Sequence, residues 1–64
     1  MCLSSVYTVG DGEKTQLCRN VATVTEKDGT LVFTDIMGVR TSVKAEIERI
    51  DLMDNYIYVR VKEA

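Results

Sequence analysis

The dipeptide Asp28-Gly29 restricts the fold of this chain more than any other feature. It lies between two runs in which apolar and polar residues alternate. Both of its residues tolerate positive φ, which a two-residue type I′ hairpin loop requires. Such a loop pairs Lys27 with Thr30 and Val24 with Phe33. One hairpin face then carries Ala22, Val24, Leu31 and Phe33, and the other carries Thr23, Thr25, Val32 and Thr34. The first is the expected core face, because alternate strand residues share a side.

Further turn signals stand at Gly10-Asp11-Gly12, at Gly38 and at Asp54-Asn55. They divide the chain into short segments that read as strands over 2–9, 13–18, 21–26, 31–35, 39–44, 47–52 and 56–62. No window of about eleven residues combines a 3.6-residue apolar period with helix caps. In the last hairpin, a loop of Asp54-Asn55 sets Met53 opposite Tyr56 and Ile50 opposite Val59. That register turns Ile50, Leu52, Ile57, Val59 and Val61 inward. The expected fold is all-β: a small antiparallel β-barrel or sandwich of about six to seven short strands, forming one domain over 1–64.

A chain of 64 residues buries only about 60% of its unfolded surface, so its own core is marginal. Disulfides, a metal or a partner subunit usually make up the difference. Two cysteines without a signal-peptide pattern suggest a reducing, cytoplasmic setting. Oligomerisation is then the expected source of further burial, and a homodimer its commonest form. No apolar run is long enough to span a membrane as a helix.

There is no histidine, which removes Ser/His and Cys/His nucleophile pairs. Glu46 and Glu48 share a strand face, but alternating charge there is the ordinary solvated pattern. The chain is not expected to be an enzyme. Its net charge of -2 argues against a dedicated nucleic-acid binder, which carries a basic stripe. The outward face of the last hairpin collects Arg49, Asp51, Met53, Tyr56, Tyr58 and Arg60. Arg49, Tyr56, Tyr58 and Arg60 could stack with and neutralise a single-stranded RNA, or meet a partner protein. In the expected register Arg49 faces Arg60, with Asp51 diagonal to it. A plain solvent face or a subunit interface remains an open reading.

Cys18 reads as a structural thiol, since free cysteine usually behaves as a small buried hydrophobe. A tight Gly10–Gly12 loop would set Cys18 opposite Ser4 and Cys2 opposite Asn20. Cys2 offers more chemistry. If Met1 is kept, its α-amine, the deprotonated Cys2 amide and the Cys2 thiolate form two fused five-membered chelate rings. If Met1 is removed, the Cys2 amine and thiolate still form one. Planar nitrogen donors suit Ni(II) or Cu(II), and a thiolate adds soft-metal affinity. One terminus does not readily complete a planar set, whereas two termini across a dimer axis supply two sulfurs and two nitrogens. From the residues alone, an incidental N-terminal cysteine stays open as the alternative.

The start Met1-Cys2-Leu3, the segment Asn20-Val21-Ala22, the block DGTLVFTDIMG over 28–38 and the block IERIDLMDNYIYV over 47–59 resemble the CooT family of small nickel-binding proteins. The likeness covers essentially the whole chain. It implies a homodimeric β-barrel linked to nickel delivery for maturation of carbon monoxide dehydrogenase, with Ni(II) bound at the dimer interface by the second-position cysteine of each subunit. Carried over, that role falls on Cys2, and Cys18 matches no functional position. Members are also labelled RNA-binding, which gives the Arg49/Tyr56/Tyr58/Arg60 face its alternative reading.

Overall fold

The Asp28-Gly29 hairpin forms in the expected register, with Lys27 opposite Thr30 and Val24 opposite Phe33. Both loop residues take the left-handed conformation, Asp28 at φ 53° and Gly29 at φ 82°. The structure, a computed structural model, describes residues 3–10 and 13–62. Its strands are β1 (Ser4–Gly10), β2 (Glu13–Lys27), β3 (Thr30–Asp35), β4 (Arg40–Asp51) and β5 (Tyr56–Val61). They close into a barrel in chain order, with β5 returning to β1.

The described residues thus form five strands where six to seven were expected, because two of the expected breaks are bends inside longer strands. Asn20 takes φ 56° and divides β2 without ending it. The stretch before it pairs with β1, Val21 just after it pairs with both β1 and β3, and the rest of the strand pairs with β3 across a register shift between Val21 and Thr23. Similarly, β4 gives 40–44 to β3 and 45–51 to β5, with a shift between Ile47 and Arg49. Such shifts bend a strand and add twist, which lets a short sheet close on itself. The barrel is also not wholly antiparallel, since β1 and β5 pair in parallel. An odd ring of strands that alternate in direction must contain one parallel pair.

The core consists of Val6, Val21, Leu31, Phe33, Ala45, Ile57 and Val59, with Leu17, Cys18, Val24 and Val43 packed against it. Ala22, expected inside, is exposed. The bend at Asn20 and the shift beside it turn Val21 inward instead.

The last hairpin departs further. Asp51, not Met53, stands opposite Tyr56, and Ile50 stands opposite Ile57, not Val59. A two-residue type I′ loop would need positive φ at both Asp54 and Asn55. Only Asn55 adopts it, at φ 60°, so the connection widens to 52–55. Ile57 and Val59 are buried as expected, but Ile50, Leu52 and Val61 are exposed.

Gly29 is the position where the hairpin most depends on glycine. Its φ of 82° is disfavoured for other residues, and an added Cβ would meet only the mobile Lys62 Nζ at 3.0 Å. The cost of Gly29→Ala is therefore backbone strain, about 1–2 kcal/mol. Denaturant unfolding should show that loss for Gly29→Ala and little change for Gly10→Ala, whose Cβ meets nothing within 4 Å.

Candidate functional site

Cys2 lies outside the described residues. The structure does describe where the strand that follows it begins. Ser5 N donates to Asn55 O at 3.0 Å, and Ser4 is paired with Val21, which is paired with Asp35. The start of β1 is therefore flanked by the 52–55 connection on one side and by Val21 of β2 on the other, with the end of β3 one strand beyond.

Both flanking connections are fixed by an aspartate at the strand end. The Asp35 carboxylate Oδ1 accepts from Met37 N and Val39 N, each at 2.9 Å. The Asp51 carboxylate Oδ1 accepts from Met53 N at 3.0 Å and Asp54 N at 2.8 Å. Side-chain oxygens that bond the backbone a few residues on are a standard turn device. The Asp54 N–H, together with the Tyr56 hydroxyl, Met53 N–H and Arg49, holds the Asp51 carboxyl below its usual value against opposing desolvation.

A carboxyl with a lowered folded pKa stabilises the fold above the ordinary carboxylate range, and this contribution is lost as pH falls through the folded value. Asp51→Asn keeps an acceptor for the turn but cannot titrate. Its unfolding midpoint should therefore fall less than that of the unaltered chain between neutral pH and the acid range. An identical acid dependence for the two would contradict this role.

Cys18 lies opposite Val6, not Ser4, because of the register shifts between Ser4 and Tyr7. It is half-buried against the core. Burial first, and the nearby Asp35 carboxylate second, push its thiol pKa upward, so the thiolate needed for metal binding or nucleophilic attack is disfavoured. Among the described residues, no group of three or more acidic or thiol side chains is arranged to hold a metal ion.

The tyrosine face forms, with different neighbours from those expected. Tyr58 lies between Tyr7 on β1 and Arg49 on β4. Tyr56 and Tyr58 stack with centroids 4.5 Å apart, and Tyr7 meets Tyr58 edge-on at 5.9 Å. Lys14 Nζ donates to the Tyr58 hydroxyl at 2.9 Å and lies 5.2 Å from the ring centroid. That hydrogen bond is the main cause of the raised Lys14 pKa.

Arg49 does not face Arg60, which stands opposite Glu46. Arg60 Nε instead donates to Glu48 at 2.8 Å, and Arg49 lies 3.6 Å from Asp51. Each arginine of the face thus has a carboxylate beside it. Tyr7 and Lys14 were missed in the sequence because they join through the parallel β1–β5 closure, which no turn signal marks.

The known proteins agree with this architecture. A crystal structure from Carboxydothermus hydrogenoformans assigned to CooT matches with a TM-score of 0.90 at 24% identity, covering 97% of this chain and 100% of that one. At that identity the match establishes the fold. No curated protein matches the chain. The family described as the CO dehydrogenase accessory protein CooT matches residues 1–60. With nearly its whole length inside that match, Cys2 included, this chain belongs to the CooT family.

Proposed function

We propose that this chain is a non-enzymatic carrier that binds Ni(II) as cargo through the Cys2 thiolate and passes it to a client metalloenzyme of the carbon monoxide dehydrogenase type. The observation that carries this reading is family membership over a span that includes Cys2. The chemistry of the donors supports it. A thiolate and the backbone nitrogens beside it form small chelate rings that suit a planar, borderline-soft ion. Two such termini in a homodimer complete a set of two sulfurs and two nitrogens. A thiolate-held ion suits delivery, because an incoming client thiolate can displace the bound thiolate by ligand exchange.

Titration of the untagged protein with Ni(II) tests this. It should develop thiolate-to-nickel charge-transfer absorption that saturates at one metal per two chains. Loading must displace protons from the donor atoms, so the apparent affinity should fall as pH falls. Absence of the band at neutral pH would refute the reading.

The tyrosine face supports a second, separable reading: an RNA-binding module. The observation favouring it is that Tyr7 and Lys14 extend the expected set of Tyr56, Tyr58 and Arg49 across two further ladders of the sheet. A single-stranded RNA stacked there would bind less tightly as salt rises and would be unaffected by Cys2→Ser. The carboxylates beside Arg49 and Arg60 oppose this reading, and labelled oligouridine that fails to bind at low salt would end it.

A further inference from the structure

We propose that the outer face of the sheet formed by 23–27 of β2, 30–34 of β3 and 40–44 of β4 is a docking surface for a protein partner that presents a cluster of carboxylates. The register assigns this face. Leu31, Phe33 and Ala45 are buried in the core, so the residues that alternate with them point outward. Lys27 stands beside Thr30, and Thr30 beside Lys44. Two residues further along each strand, Thr25, Val32 and Ser42 form the next row. The third row runs from Thr23 through Thr34 to Arg40. Three cations from β2 and β4, which are not neighbours, thus meet across β3 among threonine and serine hydroxyls.

The charge separation distinguishes this face. The chain has ten acidic residues to eight basic, yet the three rows contain no carboxylate. A plain solvated surface mixes the two signs. Three of the other cations are matched: Arg49 lies 3.6 Å from Asp51, Arg60 2.8 Å from Glu48 and Lys62 4.0 Å from Glu46. Lys27, Arg40 and Lys44 enter no ion pair among the described residues, and all three are exposed. The acids beside them in the chain are engaged or lie off the face. Glu26 alternates with Lys27 to the other side, where it accepts from Gly29 N at 3.4 Å. Asp35 is bonded to its own loop, Glu46 is paired with Lys62, and Asp28 occupies the turn at the border.

The dimensions fit a small carboxylate cluster. Lys27 and Lys44 are two strand spacings apart, about 10 Å, and Arg40 is four residues from Lys44, about 13 Å. The two lysines can close on one carboxylate over Thr30, whose hydroxyl can donate to it. Arg40 offers a planar fork to a second carboxylate. A single-stranded nucleic acid suits the face less well. The rows carry no aromatic ring for base stacking, and the acidic remainder of the chain repels a long polyanion. A second copy docked face to face would set like charges against each other. The footprint is far below the roughly 800 Å² per partner of a standard stable complex, which suits a brief, electrostatically steered encounter. The face does not depend on the cargo reading.

The test is fluorescence anisotropy of labelled oligoglutamate with the untagged chain, with amide chemical shifts of the isotope-labelled chain locating the contact. At low salt oligoglutamate should bind saturably, and the shifts should concentrate at 23–27, 30–34 and 40–44. Raising ionic strength from about 0.01 M to about 0.15 M shortens the screening length from about 30 Å to about 8 Å and should weaken binding about tenfold or more. Lys27→Gln/Lys44→Gln should weaken it by about tenfold at low salt, and Arg40→Gln alone by about threefold, with unchanged circular dichroism spectra. Arg19→Gln/Arg60→Gln removes the same charge elsewhere and should change it by less than about twofold. Oligoglutamate that fails to bind at low salt overturns the proposal, as does equal weakening in the two double variants, which would mean attraction to net charge alone. Tighter binding of labelled oligouridine at the same amides also overturns it. Lys27→Gln/Lys44→Gln should still take up nickel, and Cys2→Ser should bind oligoglutamate as the unaltered chain does. Oligoglutamate binding lost in a folded Cys2→Ser would contradict the assignment to this face, whereas nickel binding retained there would remove the cargo reading alone.

Discussion

Cys2→Ser is expected to abolish the thiolate-to-nickel absorption and to lower Ni(II) affinity by more than about a hundredfold. Loss of a supporting partner around a metal ligand already costs about 10–100-fold, and here the thiolate itself is removed. Fold and thermal stability should not change, because Cys2 precedes the first strand, which begins at Ser4. Cys18 cannot take over, since its thiol is half-buried and shifted toward the protonated form. Titration by absorption and calorimetry, with circular dichroism as the fold control, measures both halves of this prediction. Loss of binding together with loss of fold would place Cys2 in the structure and not in the site.

Phe33→Ala should have the largest effect on the fold. Phe33 is 1% exposed and, with Leu31, Val6 and Val59, is among the largest fully buried side chains. It stands opposite Val24 on β2 and Thr41 on β4, so its ring joins three strands. Removing such a ring costs about 3–5 kcal/mol. A domain of this size has a total stability of about 3–10 kcal/mol. The variant should therefore be largely unfolded, or have a much lower denaturant midpoint. Self-association makes apparent stability depend on protein concentration, so mutant and unaltered chain must be compared at equal concentration. A loss below about 1 kcal/mol would contradict the central position given to this ring.

The parts of the fold legible in the sequence are those set by local backbone chemistry. Asp28-Gly29 fixes its hairpin register because both residues reach positive φ without help from the rest of the chain. Asp54-Asn55 looked equivalent, yet only Asn55 crosses over. Asp51 reaches forward to bond Met53 N and Asp54 N, and this competes successfully with the tighter loop. The resulting change of register explains why Leu52 and Ile50 face solvent and why Arg49 meets Tyr58.

The barrel's closure was not legible, because the parallel pairing of β1 with β5 depends on the count and bending of strands between them. Tyr7 and Lys14 reached the tyrosine face by that route. The repeated Asp-Ile-Met and Asp-Leu-Met segments were visible in the sequence. Leu52 was expected to face inward and Met53 outward on the last hairpin, while Ile36 and Met37 fell between the expected strands over 31–35 and 39–44, so their shared exposure became evident only once both aspartates were seen bracing turns. Cys2 was singled out by the chemistry of its neighbours and by the family resemblance.

The most direct measurement of the central claim is native mass spectrometry of the untagged protein, with and without nickel. The protein should appear as a dimer that gains the mass of one nickel ion, and Cys2→Ser should lose that adduct while remaining a dimer. A protein that retains no nickel, or whose Cys2→Ser form retains the same adduct, would contradict it.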